Sequence, residues 1–104
     1  MFVGGTFYLA QRLKHAAPLA TLPPGAAMAD EIAAALSADG FRVMQPLGGR
    51  MPKTGVIIES RLEEGKLYVR LIRGINRKVL REAEFDAKAP DTARKVAAAV
   101  RSVM

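Results

Sequence analysis

The stretch that decides the fold is GVIIESRLEEGKLYVRLIRGINRKVLREAEFDA, residues 55–87, which contains three alternating runs separated by two turn sequences. Strand side chains point to opposite faces with a period of two residues. Glu64 and Gly65 stand between the first two runs, and glycine adopts positive φ without strain. The pattern therefore predicts a tight β-hairpin followed by a third strand.

A two-residue loop at residues 64–65 sets the register of that hairpin. It pairs Glu59 with Arg70 on one face and Ile58 with Leu71 on the other. We expect the face that carries Ile58 and Leu71 to be the core side, because a slip of one residue would exchange the two faces.

The second turn, Gly-Ile-Asn at residues 74–76, sets the register of the third strand. Glycine and asparagine tolerate left-handed geometry, and an odd-length loop here keeps the two faces consistent. This register places Glu82 beside Arg70 and Leu80 beside Ile72. A slip would move Glu82 into the core at a cost of several kcal/mol unless it were neutralised or paired.

The predicted outer face carries three rows that run across the strands. Two rows mix acidic and basic residues, as expected of a solvated face with cross-strand ion pairs. The third row is aliphatic and consists of Ile57, Ile72 and Leu80. Such a row needs cover, either from the chain itself, with residues 2–10 as the candidate segment, or from a partner.

A helix is predicted before the meander. Ile32 and Leu36 recur at helical spacing, and Pro24 suits a first turn. Gly40 ends the helix, so that Phe41 folds back on Leu36 as in a Schellman ending.

A short strand and a second helix complete the predicted elements. Residues 41–47, FRVMQPL, favour an edge strand because Pro46 has no N–H to donate to a ladder. A helix follows Asp91, a suitable N-cap or first-turn acid. Its apolar face is formed by Ala93, Val96, Ala97, Val100 and Val103.

These elements predict an α+β fold with an αβββα core. An antiparallel three-stranded meander and one or more edge strands carry both helices on one face. Residues 25–104 form the single domain. Residues 1–24 form an N-terminal segment with a candidate strand, TFYLAQ, and a proline-rich linker.

Composition narrows the function classes. The 104 residues suffice for one domain, and the absence of cysteine excludes disulfides, thiolate metal sites and cysteine nucleophiles. A lone histidine forms neither a triad nor a metal site, so we expect no enzyme, cofactor or metal. The longest uncharged stretch, residues 16–29, is broken by prolines and too short to span a membrane.

The charge balance points to acidic partners. Sixteen basic against ten acidic residues give a net charge of +6, which favours acidic proteins, nucleic acid or anionic membranes. The loop GGRMPKTG, residues 48–55, and the second turn bring basic residues to one end of the sheet. We therefore predict that an acidic protein or a second copy docks on an apolar centre with a basic rim. The predicted surface consists of Ile57, Ile72, Leu80, Arg50, Lys53, Arg77 and Lys78.

Three blocks carry a resemblance to known proteins: GAAMADEIAAALSADGFRVMQPLG, the meander quoted above, and PDTARKVAAAVRSVM. Together they resemble the amino-terminal domain of the TolB proteins of the Tol-Pal system and related envelope assembly lipoproteins. The first two blocks also look like conjugal-transfer lipoproteins. The first strand of that family would correspond to PLATLPP, residues 18–24, and no lipid-anchoring cysteine precedes it.

The resemblance implies a non-enzymatic adaptor domain of the cell envelope or periplasm that docks other components without a cofactor. A cytoplasmic location stays open. The helix and strand order is also similar to that of double-stranded RNA-binding domains, which makes nucleic acid binding the second choice. Acidic residues at Glu63, Glu64 and Asp91 disfavour it, since they stand where such domains contact phosphate. A phage-type inhibitor of a host protein is a third alternative.

Overall fold

The computed structural model describes residues 18–48 and 50–104, and all structural statements concern these residues. They form a five-stranded mixed sheet in the order β2-β1-β3-β4-β5 and two helices. The short strand β1 runs parallel to both of its neighbours, and β3, β4 and β5 are antiparallel. The elements are β1 Leu19–Thr21, α1 Ala29–Ala38, β2 Arg42–Met44, β3 Val56–Glu63, β4 Lys66–Arg73, β5 Val79–Asp86 and α2 Thr92–Ser102.

The predicted register of the hairpin is confirmed. Glu59 pairs with Arg70 and Ile58 pairs with Leu71. The loop residues Glu64 and Gly65 have φ values of 50° and 81°, as a type I′ turn requires. The pairing of Arg70 with Glu82 on β5 is also confirmed.

The pairing predicted for Leu80 is wrong. Val79 lies opposite Ile72, because β5 contains a register shift between the partners of Leu71 and Ile72. Leu80 is the extra residue of this bulge, and it packs against the core on the helix side. Leu80 therefore does not belong to the outer aliphatic row.

The geometry of the β4–β5 turn explains the shift. The sequence analysis expects left-handed geometry at Gly74 or Asn76, but the positive φ, 60°, is found at Arg77. The Arg77 N–H donates to the Arg73 carbonyl at 2.8 Å. Gly74 serves a different purpose: a Cβ there would lie 2.7 Å from the carbonyl oxygen of Thr54. The backbone of another loop thus approaches this turn closely, and the bulge at Leu80 shifts the register beyond it.

The αβββα description omits β1. The proline-flanked run PLATLPP supplies this strand, which pairs with β2 on one side and β3 on the other. This strand lies within the segment 1–24, for which the sequence analysis predicts a candidate strand and a proline-rich linker. The candidate strand TFYLAQ lies outside the described residues.

The end of α1 and the start of α2 lie where the sequence predicts them, whereas α1 starts later than predicted. The helix α1 begins at Ala29, later than Pro24 suggests, because residues 24–28 form turns. Its end follows the prediction: Gly40 has a φ of 91°, and the Phe41 N–H donates to the Leu36 carbonyl at 3.0 Å. Asp91 is the N-cap of α2, without a capping hydrogen bond from its side chain.

The core lies between the helices and one face of the sheet, and both helices pack on that face as predicted. Its fully buried side chains come from both helices and the meander, and they form one contiguous cluster. The largest apolar ones are Leu22, which follows β1, and Ile32, Leu36, Ile58, Leu67, Leu71, Val96 and Val100.

Candidate partner-binding surface

The aliphatic row on the open face of the sheet is covered at one end. Thr21 and Ile57 lie side by side on β1 and β3, with relative exposures of 0% and 3%. Ile57 is not a member of the core cluster between helices and sheet. A segment other than the helices therefore covers it.

The connection between β2 and β3 is the described segment whose topology brings it to the same face as Ile57. Both strands run parallel to β1 and flank it, so residues 45–55 have to cross over β1. Parallel crossovers are right-handed. The connection from β1 to β2 contains α1 and lies on the helix side of the sheet. The connection from β2 to β3 runs across the sheet in the opposite direction, so the same handedness places it on the open face. Met51 and Pro52 in this connection are half-buried, and Met51 lies outside the helix-side cluster.

The predicted apolar centre is therefore not a continuous exposed patch. Ile57 is buried, Ile72 is half-buried and Leu80 packs on the opposite side of the sheet. Val79 takes the place of Leu80 beside Ile72 and is 45% exposed. The proposed cover by residues 2–10 falls outside the described part of the chain.

The basic rim does gather at one end of the sheet. The Gly74 N–H donates to the Gly55 carbonyl at 2.9 Å, which joins the crossover loop to the β4–β5 turn. Ile75, at the tip of this turn, is 73% exposed. Of the exposed cations in or next to these segments, we group the four that are nearest in sequence to the Gly55–Gly74 contact. We call this surface the basic end, and it consists of Ile75, Lys53, Arg73, Arg77 and Lys78.

In the part of the chain that the structure describes, no carboxylate pairs with the cations of the basic end. Residues 40–58 and 65–81 contain no aspartate or glutamate. Among the residues that the structure describes, the ion pairs within 4.0 Å involve other cations. Arg50, which the sequence also assigns to the surface, is exposed in the crossover loop without a described contact to the turn.

The rest of the open face is internally paired. Arg70 lies between Glu59 and Glu82, with N–O distances of 3.7 Å and 2.9 Å. The guanidinium of Arg61 lies 5.1 Å from the centre of the Tyr68 ring. These contacts agree with the prediction of a solvated face, and they leave the free positive charge at the opposite end of the strands.

The structure offers no assembled site for metal chemistry in residues 18–48 and 50–104: no three histidine, cysteine, aspartate or glutamate side chains come together there. Over the same residues, no helix has the length and apolar character needed to cross a membrane. The absence of enzymatic activity stays a prediction.

Comparisons with family models, curated proteins and solved structures give no match to this chain. Sequence reasoning missed Ile75, Arg73 and Val79. An isoleucine between Gly74 and a polar run is a usable signal, because a turn tip offers an apolar side chain no cover.

Proposed function

We propose that this chain is a non-enzymatic adaptor domain that docks an acidic protein on its basic end. The observation that carries the proposal is an exposed isoleucine among four cations that have no carboxylate partner in the described residues. The resemblance noted from the sequence supports a cell-envelope assembly or secretion complex as the setting.

The two parts of the surface contribute differently to binding. Full burial of an isoleucine side chain is worth about 1.5–3 kcal/mol, so covering Ile75 supplies part of the affinity. The cations accelerate encounter with an acidic surface and exclude basic ones, and their effect weakens as salt increases. A partner that fits has an apolar pocket surrounded by carboxylates.

The nucleic-acid alternative meets unfavourable charges where a double-stranded RNA-binding domain makes its contacts. The β3–β4 loop carries Glu63 and Glu64, and the start of α2 carries Asp91. Phosphates at these places would be repelled. The basic end lies at the other end of the strands, where the crossover loop and the β4–β5 turn carry the positive charge.

The test uses a fluorescent acidic peptide whose central leucines are flanked by glutamates, and a second peptide with serines in place of the leucines. Binding anisotropy is measured for the wild type, Ile75→Ser and the double variant Arg77→Glu/Lys78→Glu. The matched control is Lys88→Glu/Arg94→Glu, which makes the same charge change at two exposed residues away from the basic end.

We expect the double variant at the basic end to weaken binding about tenfold or more, with little change in the control. Ile75→Ser should weaken binding of the leucine peptide and leave that of the serine peptide unchanged. Equal losses in both charge variants would contradict the proposal, since net charge alone would then explain the binding. Tighter binding of duplex RNA or of anionic phospholipid vesicles, abolished by the same variant, would replace the protein partner by that class.

A further inference from the structure

The outer edge of β5 presents backbone groups that β4 does not use. At one end of the β4–β5 ladder the Arg73 N–H donates to the Lys78 carbonyl at 2.8 Å. At the other end the Ala87 N–H donates to the Gly65 carbonyl at 3.0 Å. Antiparallel ladders alternate hydrogen-bonded and non-hydrogen-bonded pairs, so the odd-numbered residues of β4 face β5.

The partners of those residues on β5 are Arg81 and Ala83, followed by Phe85. The N–H and C=O groups of Glu82 and Glu84 consequently point away from β4. Among the described residues no strand pairs with this edge, because β5 is the last strand of the sheet.

The usable edge is short and has defined limits. The bulge at Leu80 interrupts it at one end. At the other end Thr92 donates its side-chain hydroxyl to the Asp86 carbonyl. Between these limits, the four backbone groups of Glu82 and Glu84 that have no partner among the described residues match a segment of about five residues.

The open face next to this edge ends on negative charge. Across the strands the charges alternate: Glu59 is followed by Arg70 and then by Glu82 at the edge. Glu84, in the neighbouring row, is also exposed. A further strand would continue the alternation if it placed lysine or arginine beside each glutamate.

The opposite side of the edge is apolar. Ala83 and Phe85 alternate with the two glutamates and are half-buried, and Phe85 packs against the core cluster. A small apolar side chain on an added strand would cover the part of Phe85 that is still exposed. The edge thus matches a segment in which basic and apolar residues alternate.

A second copy of β5 does not satisfy these conditions. An antiparallel pair of β5 edges centred on Ala83 sets Glu82 of one copy opposite Glu84 of the other. Centring on either glutamate sets that residue opposite itself. Like charges directly opposite each other destabilise strand pairs, so self-association along this edge is disfavoured.

From this geometry we infer that the β5 edge binds an extended peptide segment by strand addition, with lysine or arginine at two alternate positions and apolar residues between them. Strand addition takes its affinity from main-chain hydrogen bonds and its specificity from alternate side chains. The inference goes beyond the proposed function and does not depend on it, since it uses a different surface and a partner segment of opposite charge.

The test uses a capped peptide of about seven residues in which lysine and valine alternate. Three peptides serve as controls: one with glutamates in place of the lysines, one with the same residues in blocks, and one N-methylated at the backbone groups that face the protein. Binding is followed by NMR titration of the folded chain, and amide hydrogen exchange is measured with and without peptide.

We expect the exchange of the Glu82 and Glu84 amides to slow on binding, while the Ala83 and Phe85 amides are protected before and after. The variant Glu82→Lys/Glu84→Lys should weaken binding of the lysine–valine peptide at least tenfold and bind the glutamate peptide more tightly instead. The matched control Glu63→Lys/Glu64→Lys, at the hairpin tip, should leave binding unchanged.

Three results would overturn the inference. The first is no saturable binding at millimolar peptide. The second is equal binding of the N-methylated or block peptide, which would show charge attraction without strand pairing. The third is binding that leaves the Glu82 and Glu84 amides unprotected. If the lysine variant fails to fold, Glu82→Gln/Glu84→Gln and the three control peptides still decide the question.

Discussion

Replacement of Thr21 by valine should stabilise the protein. Thr21 is fully buried on β1, and its hydroxyl has no hydrogen-bond partner in the part of the chain that the structure describes. An unpaired buried hydroxyl lowers stability by about 1–3 kcal/mol relative to an apolar group of the same shape. Valine has nearly the same shape and a higher β propensity. We therefore expect Thr21→Val to raise the free energy of unfolding by about 1–2 kcal/mol.

Thr92 supplies the matched control. It is also buried, at 1% exposure, but its hydroxyl has two acceptors within reach of its single proton, the Ala89 and Asp86 carbonyls. The same change at this residue removes the donor and should lower the free energy of unfolding by about 1–2 kcal/mol. Urea denaturation followed by circular dichroism measures both changes, provided that the denaturant slope stays constant. For a domain of this size the midpoint temperature should move by about 4–8 °C per kcal/mol.

The two threonine-to-valine substitutions should change the free energy of unfolding in opposite directions. Loss of stability in Thr21→Val would show that the Thr21 hydroxyl is satisfied and that the geometry of the open face is wrong there. An unchanged Thr92→Val would remove the assigned role of its hydroxyl at the junction between β5 and α2.

Two further substitutions test the packing. Gly55→Ala should destabilise the fold by about 3 kcal/mol or more, since its Cβ would lie 2.1 Å from the Leu19 carbonyl oxygen at a φ of 74°. At Gly65 a Cβ would meet only the Lys88 side chain at an ordinary contact distance of 3.7 Å, so Gly65→Ala should cost about 1 kcal/mol for its positive φ. Equal losses in urea denaturation would refute the close approach at Gly55. Ile57→Ala should lower the free energy of unfolding by about 2–5 kcal/mol, and Val79→Ala by less than about 1 kcal/mol, because only Ile57 of the two is buried. Thermal denaturation measures both changes. A small loss for Ile57→Ala would show that the crossover loop does not pack on this side chain.

The register of the meander can be predicted because local signals agree. A glycine after two acidic residues specifies the hairpin loop, and the alternation of Glu82 with Ala83 admits one orientation of β5. Each signal comes from residues close in sequence. The Schellman ending of α1 is predictable for the same reason, since Gly40 and Phe41 determine it locally.

The errors come from contacts between distant segments. The turn after β4 is set by Thr54 crowding Gly74, and no property of the turn sequence reveals this neighbour. The burial of Ile57 depends on which face the crossover loop takes. The basic character of this end and the isoleucine in its turn are visible in the sequence, but the loss of Leu80 from the row follows from the bulge.

The strand β1 has a consequence for the order of folding. Only three residues long, it connects β2 to the meander through parallel pairs that span a long stretch of intervening chain. The hairpins of β3, β4 and β5 close over short loops, so they can form early, while β1 has to wait for distant partners. Native-state fluctuations should follow the same division: detachment of β1 would release β2 as well, and the meander would persist as a separate cooperative unit.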